Sequence, residues 1–387
     1  MAGIYIHIPF CKQACYYCNF HFSTSLALKE EMINSLIKEI EIRSAIPKEK
    51  EENKTAILST QNETIETIYF GGGTPSLLSE KEINVLLSSI KKNYNVKIDA
   101  EITLEANPDD ITPEKLKQWK SEGINRLSIG IQSFKEEHLV WMNRAHNAAQ
   151  SIDCIHLARE AGFNNFSIDL IFGTPGLPNE EWKENIQKVI GLNVPHIACY
   201  ALTVEPKTAL QRMIALKKKE DVNTDLQATQ YLMLMRWMHD AGYEHYEISN
   251  FAKPGFRSRH NSSYWQGKKY IGIGPSAHSY DGKMRMWNKA NNALYIDSIQ
   301  KNIIPFEKEI LTETQQLNEY IMTSLRTIEG LDLKFIETHF STDQRKRIES
   351  LIKNEVEKEM IFIDKEKIIL TDEGKLFADG IAVKLFS

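Results

Sequence analysis

The chain has 387 residues, 42% of them apolar and 26% charged, the balance of a globular protein of two to three domains. Forty-seven Lys and Arg against fifty-two Asp and Glu leave a formal charge of −5, which supplies no overall basic field for nucleic acid. No apolar run approaches the ~20 residues of a membrane span, and the opening MAGIYIHIPF lacks the layout of a signal peptide, so a soluble, cytoplasmic protein is expected.

The first 200 residues alternate short β-rich runs with amphipathic helices. Strands are expected at Ile4–Ile8, Thr67–Phe70, Glu101–Glu105, Arg126–Ile131, Phe166–Ile171 and Ile197–Leu202. Between them, Leu28, Met32, Leu36 and Ile40 recur every four residues, which lays one apolar stripe on a helix. Ile83, Leu86, Leu87 and Ile90 repeat the pattern, as do Ile152, Ile155, Leu157 and Ala158, and then Trp182, Ile186, Val189 and Ile190. Six βα units in succession predict a parallel sheet of the α/β class, and periodicity alone leaves open whether it is doubly wound or curled into a barrel. The polar stretch Pro47–Thr64 reads as a solvated loop, and Lys217–Glu220 as a solvent-facing bend.

Beyond about residue 290 the pattern changes. Leu317–Leu325, Leu333–His339 and Arg345–Val356 predict short helices, Met360–Leu370 predicts a hairpin around Asp364–Glu366, and Thr371 is placed to cap a final helix. Helices followed by a hairpin predict a small helical, winged-helix-like domain. Such folds occur in DNA-binding proteins, but this segment is not notably basic.

Five cysteines, an odd number in a chain of this length, argue against a disulfide framework. Cys154 and Cys199 stand alone and read as small core residues. Cys11, Cys15 and Cys18 form a C-x3-C-x2-C run directly after the first strand. Three thiolates so spaced suit one soft-metal centre. It is either a [4Fe–4S] cube with one iron left open, or a zinc ion completed by His7 or His21.

With Tyr17 directly before its last Cys, this run resembles the motif of the radical S-adenosylmethionine (SAM) superfamily. The resemblance implies a partial (β/α)6, TIM-like barrel and a [4Fe–4S] cluster on Cys11, Cys15 and Cys18. It also implies SAM chelated at the open iron, where reduction releases a 5′-deoxyadenosyl radical. Tyr69-Phe-Gly71-Gly72-Gly73-Thr74-Pro75 ends the second strand, and its glycines let backbone approach a ligand. In this context it is similar to the superfamily's SAM-binding element. Glu105, Gln132 and Asp169 sit at strand ends, where open βα folds place ligands. Each taken singly reads equally well as a structural hydrogen-bonding residue. Together with Arg144, Tyr5 and Tyr17 they resemble SAM-contacting positions in the oxygen-independent coproporphyrinogen III oxidase-like branch.

Two kinds of member share that branch. Oxidases decarboxylate two propionates of a porphyrinogen, and heme chaperones bind heme and pass it to respiratory proteins. The oxidase motif carries a fourth Cys two residues after the third, where this chain has Phe20, and a long N-terminal arm, where this chain has ten residues before Cys11. His260-Asn261-Ser-Ser-Tyr264-Trp265 is similar to the H-N-x-x-Y-W element associated with heme binding in the chaperones. His260 would then supply an imidazole, Tyr264 and Trp265 would stack on the macrocycle, and Lys253, Arg257, Arg259, Lys268 and Lys269 would pair with its propionates. His278 is a second candidate ligand. The same residues also read as a structured loop with solvated cations.

The resemblance favours the chaperone, with the oxidase and a zinc-containing winged-helix module for DNA as alternatives, and singles out no catalytic residue. It implies heme and heme-accepting respiratory proteins as partners, no nucleic acid, and at most transient membrane contact. The expected division is a barrel over 1–240, a heme-candidate region over 241–295 and the winged domain over 296–387.

Overall fold

The computed structural model describes residues 2–45 and 63–387. Most of the loop expected at Pro47–Thr64 therefore lies outside the described residues. Six strands, β1 (Ala2–Ile8), β2 (Thr64–Gly72), β3 (Asn95–Ala106), β4 (Arg126–Gln132), β5 (Phe166–Phe172) and β6 (His196–Ala201), lie side by side in chain order and run parallel. Each expected strand is present: β1, β2 and β3 run longer than expected, β4 and β5 gain one residue each, and β6 is displaced by one, leaving Leu202 outside it. Their crossovers carry α1 (Lys29–Ser44), α2 (Glu80–Asn93), α3 (Pro113–Glu122), α4 (Glu136–Met142), α5 (Ala148–Glu160) and α6 (Asn179–Gly191). Capping boxes at Ser79 and Asn147 start α2 and α5.

Alternation along the strands separates two faces. Ile4, Ile6 and Ile8 point outward and are fully buried in one core with Met32, Leu36 and Ile40 of α1. Each such side chain contributes ~1.5–3 kcal/mol relative to exposure. The inner face carries Gly3, Tyr5 and His7 on β1, Thr67, Tyr69 and Gly71 on β2, and Glu101, Thr103 and Glu105 on β3. Parallel strands buried on both sides are ordinarily apolar throughout, so a polar inner face marks a surface kept for something other than packing.

The sheet does not close. Beyond β6 it continues through the antiparallel β8 (Asn250–Ala252) to β7 (Glu244–Glu247). Beyond β1 it continues through the parallel β9 (Lys269–Ile273), then β10 (His278–Tyr280), β11 (Met284–Asn288) and β12 (Phe306–Ile310), twelve strands among the described residues. Residues 244–310 thus extend both edges of the barrel sheet. Four helices accompany them, α7 (Ala209–Ala215), α8 (Thr224–Asp240), α9 (Arg259–Trp265) and α10 (Asn292–Gln300). The bend at 217–220 follows α7, but Lys219 turns back over the Trp141 ring, 4.1 Å from its centroid, instead of facing solvent. Between α1 and the extension sits a fully buried pair, Glu39 with Arg43 at 2.8 Å. Glu39 also accepts from the Gly274 N–H, the Asn288 amide and the Tyr295 hydroxyl.

The C-terminal part has a core of its own. It comprises α11 (Glu313–Leu325), β13 (Leu331–Asp332), α12 (Leu333–His339), α13 (Thr342–Leu351), α14 (Lys353–Glu357), β14 (Ile361–Asp364), β15 (Lys367–Leu370), α15 (Asp372–Lys375) and α16 (Ala378–Leu385). The hairpin β14–β15 adds β13 to form a three-stranded sheet beside the helices, the winged arrangement expected. The Thr371 hydroxyl accepts from the Gly374 N–H as the cap. The last helix is divided into α15 and α16, and the helix expected at Arg345–Val356 into α13 and α14.

Candidate functional site

The cysteine loop hangs from the C-terminal end of β1 and is held by backbone bonds at several points. Cys11 N–H donates to the Ser23 carbonyl at 3.0 Å, and Ser23 N–H to that of Pro9 at 2.9 Å. Gly73 and Thr74 donate to the carbonyls of Ile8 and Phe10 at 2.9 and 2.7 Å, and Tyr16 to Met142 at 3.1 Å. Cys11, Cys15 and Cys18 are partly accessible, whereas Cys154 and Cys199 are buried elsewhere. Burial pushes the Cys11 thiol up to about 11, with a hydrogen bond involving Thr74 opposing it, and pushes Cys18 up as well. Ligation must therefore displace protons.

Among the described residues, no three donors gather around a single metal ion. His7 has both ring nitrogens engaged, by the Tyr5 hydroxyl and the His21 carbonyl, and His21 has its Nε2 on Asn292. Three soft thiols on one loop with no fourth protein donor fit a cluster that spreads its ligands over separate irons better than they fit zinc.

Arg144 ties this loop to the barrel. Its Nη1 donates to Cys15 Sγ at 3.2 Å and to the Tyr17 hydroxyl at 3.5 Å, and its Nη2 to Asn107 Oδ1 at 3.0 Å and the Gly130 carbonyl at 2.8 Å. Opposite it, Glu105 accepts from the Tyr69 hydroxyl at 2.8 Å and the Gly72 N–H at 3.1 Å. The glycines between are obligatory. A Cβ on Gly73 would lie 2.6 Å from the Phe10 carbonyl oxygen, and Gly72 has φ +106° with the His7 ring where its Cβ would stand. Tyr5 packs on Tyr69, and Thr74 is buried beside the loop. Gln132 ends β4 in a left-handed conformation, φ 66°. Asp169 faces inward from β5 deep in the barrel, still partly reached by solvent. Burial pushes the carboxyls of Glu105 and Asp169 up to about 7, and the charge of Asp169 adds to the rise at Glu105. Two carboxyls of this kind, once ionised, suit a cationic ligand.

The His260–Trp265 segment forms α9, and its first residues enter the barrel at the N-terminal end of the sheet. Glu101, buried on β3, accepts the backbone N–H groups of Arg259 and His260 at 3.1 and 3.0 Å, as a carboxylate at a helix N-terminus does. His260 is 2% exposed. Its Nδ1 bonds the Thr67 hydroxyl and its Nε2 the Tyr264 hydroxyl, both at 2.8 Å, and its ring stacks on Tyr69 at 4.9 Å. Arg126, 1% exposed, stands 3.9 Å from Glu101 in the same layer. Burial, with the Arg126 charge adding, holds the His260 ring down to about 3, so it is neutral. Tyr264 meets Tyr270 edge-on, Trp265 lies under the Arg326 guanidinium, and Asn261 is partly exposed beside the Ser258 cap.

Tyr264 and Trp265 open onto a cavity of about 1,250 Å³ between the barrel sheet and the C-terminal helices. Tyr5, His7, Phe20 and His21 line it near the cysteine loop, His278, Tyr280 and Arg285 on the sheet extension, and Tyr320, Phe335 and Lys367 from the C-terminal part. His260 stands behind this wall rather than in it. Of the five cations flanking the motif only Arg257 lines the cavity, already paired with Glu244 and Glu329. Lys268 pairs with Glu66, Lys269 with Glu63, Arg259 bonds the Asp99 carbonyl, and Lys253 bonds Asn193. The cavity's other cations, Arg285 and Lys367, escaped sequence reasoning. So did the inner layer of Thr67, Glu101 and Arg126, although polar residues at alternate strand positions carried the signal.

The chain matches the Radical SAM superfamily over residues 5–189 and the HemN C-terminal domain over residues 311–377. It is 34% identical to the heme chaperone HemW of Bacillus subtilis, over 98% of each chain. It is 33% identical to that of Lactococcus lactis, over 96% of this chain and 93% of the other. Its fold superposes on coproporphyrinogen III oxidase (HemN) from Escherichia coli, described as a radical SAM enzyme, with a TM-score of 0.84 and 23% identity. That superposition covers all of this chain and 90% of the other.

Proposed function

We propose, from the premise that the chain belongs to the heme chaperone HemW family of the radical SAM superfamily, that it binds heme in the cavity between sheet and C-terminal helices and hands it to heme-accepting respiratory proteins. The observation that carries this reading is the cavity itself. At about 1,250 Å³ it exceeds the ~300–1,000 Å³ common for small-molecule sites, and it is walled by aromatic rings and imidazoles, with the cations Arg257, Arg285 and Lys367 set among the carboxylates Glu319, Glu329 and Asp332. Phe20 stands 68% exposed within it, an unpaired aromatic face suited to a flat macrocycle. The opening toward solvent between the two parts leaves a route for release.

Cys11, Cys15 and Cys18 would hold the [4Fe–4S] cluster, which with SAM supplies one-electron chemistry when both are bound. Arg144 fixes the position of Cys15 and Tyr17. Tyr5, Gly72, Gly73, Thr74 and Glu105 form one side of the SAM site, and Gln132 and Asp169 extend it along the inner face. Residues 1–240 serve as the cluster-and-SAM barrel; the heme-contacting extension runs past the expected boundary at 295 to take in α10 and β12, and the C-terminal part from α11 onward covers the cavity. Among the described residues no helix is long and apolar enough to cross a membrane, and delivery from the cytoplasm is read as involving transient contact with it.

Titration of the anaerobically reconstituted protein with heme, beside an assay with dithionite, SAM and coproporphyrinogen III, tests the reading. One heme per chain and no decarboxylated product are expected. Protoporphyrinogen formation would replace the chaperone by the oxidase.

A further inference from the structure

Resting on the reading of the cavity as a heme site, we infer that the protein ligand to the heme iron is the His278 imidazole, with His260 serving as a buried positioning residue. Four histidines line the cavity: His7, His21, His278 and His339. His7 has both ring nitrogens engaged, with the Tyr5 hydroxyl at 3.1 Å and the His21 carbonyl at 2.8 Å. His21 bonds Asn292 at 2.7 Å. His339 bonds the Phe335 carbonyl at 3.0 Å, with its ring stacked 3.8 Å from that of Phe335. His278 differs. Its only ring contact among the described residues is a stack on Trp287 at 6.1 Å, which occupies a face and leaves the nitrogen edge open to the cavity.

The backbone holds that imidazole in place. His278 lies on β10, paired with Trp287 of β11 on one side and packed on β9 on the other. The approach to β9 is so close that a Cβ on Gly272 would overlap the His278 carbonyl, so only glycine permits it. Two residues on, Tyr280 points to the same face, and its cross-strand partner Arg285 also lines the cavity. Arg285 pairs through Nη2 with Glu309 and Glu319, and its buried Nε has no hydrogen-bond partner, so the guanidinium keeps one N–H that a propionate could take on a small shift of the side chain. One sheet patch thus offers a nitrogen lone pair, a stacking ring and an unused guanidinium N–H. Coordination is dative: the neutral imidazole donates its lone pair to iron, a weakly held ligand such as water leaves, and no oxidation state changes. His260 offers no comparable edge, since Thr67 and Tyr264 occupy both of its nitrogens.

The test compares wild type, His278→Ala and His339→Ala as reconstituted full-length protein, titrated with hemin and followed by Soret position, electron paramagnetic resonance and the rate of heme loss to apomyoglobin. His278→Ala is expected to lose the histidine-type spectrum and to release heme at least about 10- to 100-fold faster, the scale already set by loss of a partner behind a metal ligand. Added imidazole is expected to restore the spectrum, and His339→Ala to match wild type. A His278→Ala protein with wild-type spectrum and release rate overturns the assignment. So does loss of heme binding that imidazole does not restore while iron and sulfide content stay intact. Failure of wild type itself to take up heme overturns the cavity reading beneath it, so the two failures are distinguishable.

Discussion

His260 Nε2 and the Tyr264 hydroxyl are 2.8 Å apart, one turn apart on α9, and they join the inside of the barrel to the wall of the cavity. The ring is held neutral, chiefly by burial, down to about 3 against 6.5 when unfolded. As pH falls, the unfolded chain takes this proton first. The contribution is whole above pH 6.5 and is lost progressively toward pH 3, about 3 kcal/mol of it between pH 7 and 4. His260→Gln removes that share of the dependence. Urea midpoints at pH 7, 5.5 and 4 should show a shallower decline in the variant, and equal slopes would contradict the assignment.

Tyr264→Phe leaves the buried His260 Nε2 without its partner. A loss of about 1–3 kcal/mol is expected, with the heme spectrum retained. A large Soret change with unaltered stability would place Tyr264 on the iron instead.

Gly73→Ala sets a methyl against the carbonyls of Phe10 and Ile8, which are backbone atoms and cannot swing aside. The cysteine loop must shift, and iron and sulfide per chain after reconstitution should fall well below wild type while the circular dichroism is kept. Normal cluster loading would show that the loop does not depend on this approach.

Glu105 and Asp169, both pushed by burial to about 7, ionise across the neutral range. A cationic ligand favours the ionised form, so the affinity for SAM should rise about tenfold from pH 6 to 8 and then level off. Equilibrium dialysis of reconstituted protein checks this. Glu105→Gln is expected to weaken binding and flatten the profile, and a flat wild-type profile would count against both carboxylates.

Much of the barrel is legible because its strands present isoleucine outward in a regular alternation, as at Ile4, Ile6 and Ile8. The sheet extension is not, since β10 and β8 have only three residues each and no period to read. The cysteine loop and glycine turn are continuous in sequence and could be read there. The burial of His260 could not. RSRHNSSYWQGKK has the composition of an exposed loop, and a carboxylate on a distant strand, Glu101, draws the start of α9 inward. The cavity wall runs from Tyr5 to Lys367, and only the tertiary fold assembles it.

Glu39, fully buried and bonded to Arg43, Gly274, Asn288 and Tyr295, locks α1 to the strands that carry His278. Glu39→Ala leaves Arg43 uncompensated and is expected to cost about 3–5 kcal/mol in denaturant unfolding. A loss below 1 kcal/mol would mean that the guanidinium finds other partners.

The cysteine loop is stitched to β1, to the glycine turn and to Met142 by main-chain bonds that require no metal. Its closure entropy is therefore settled during folding rather than at assembly of the iron centre. On the proposed reading, loading the three cysteines would then need iron and sulfide but no rebuilding of the loop around them.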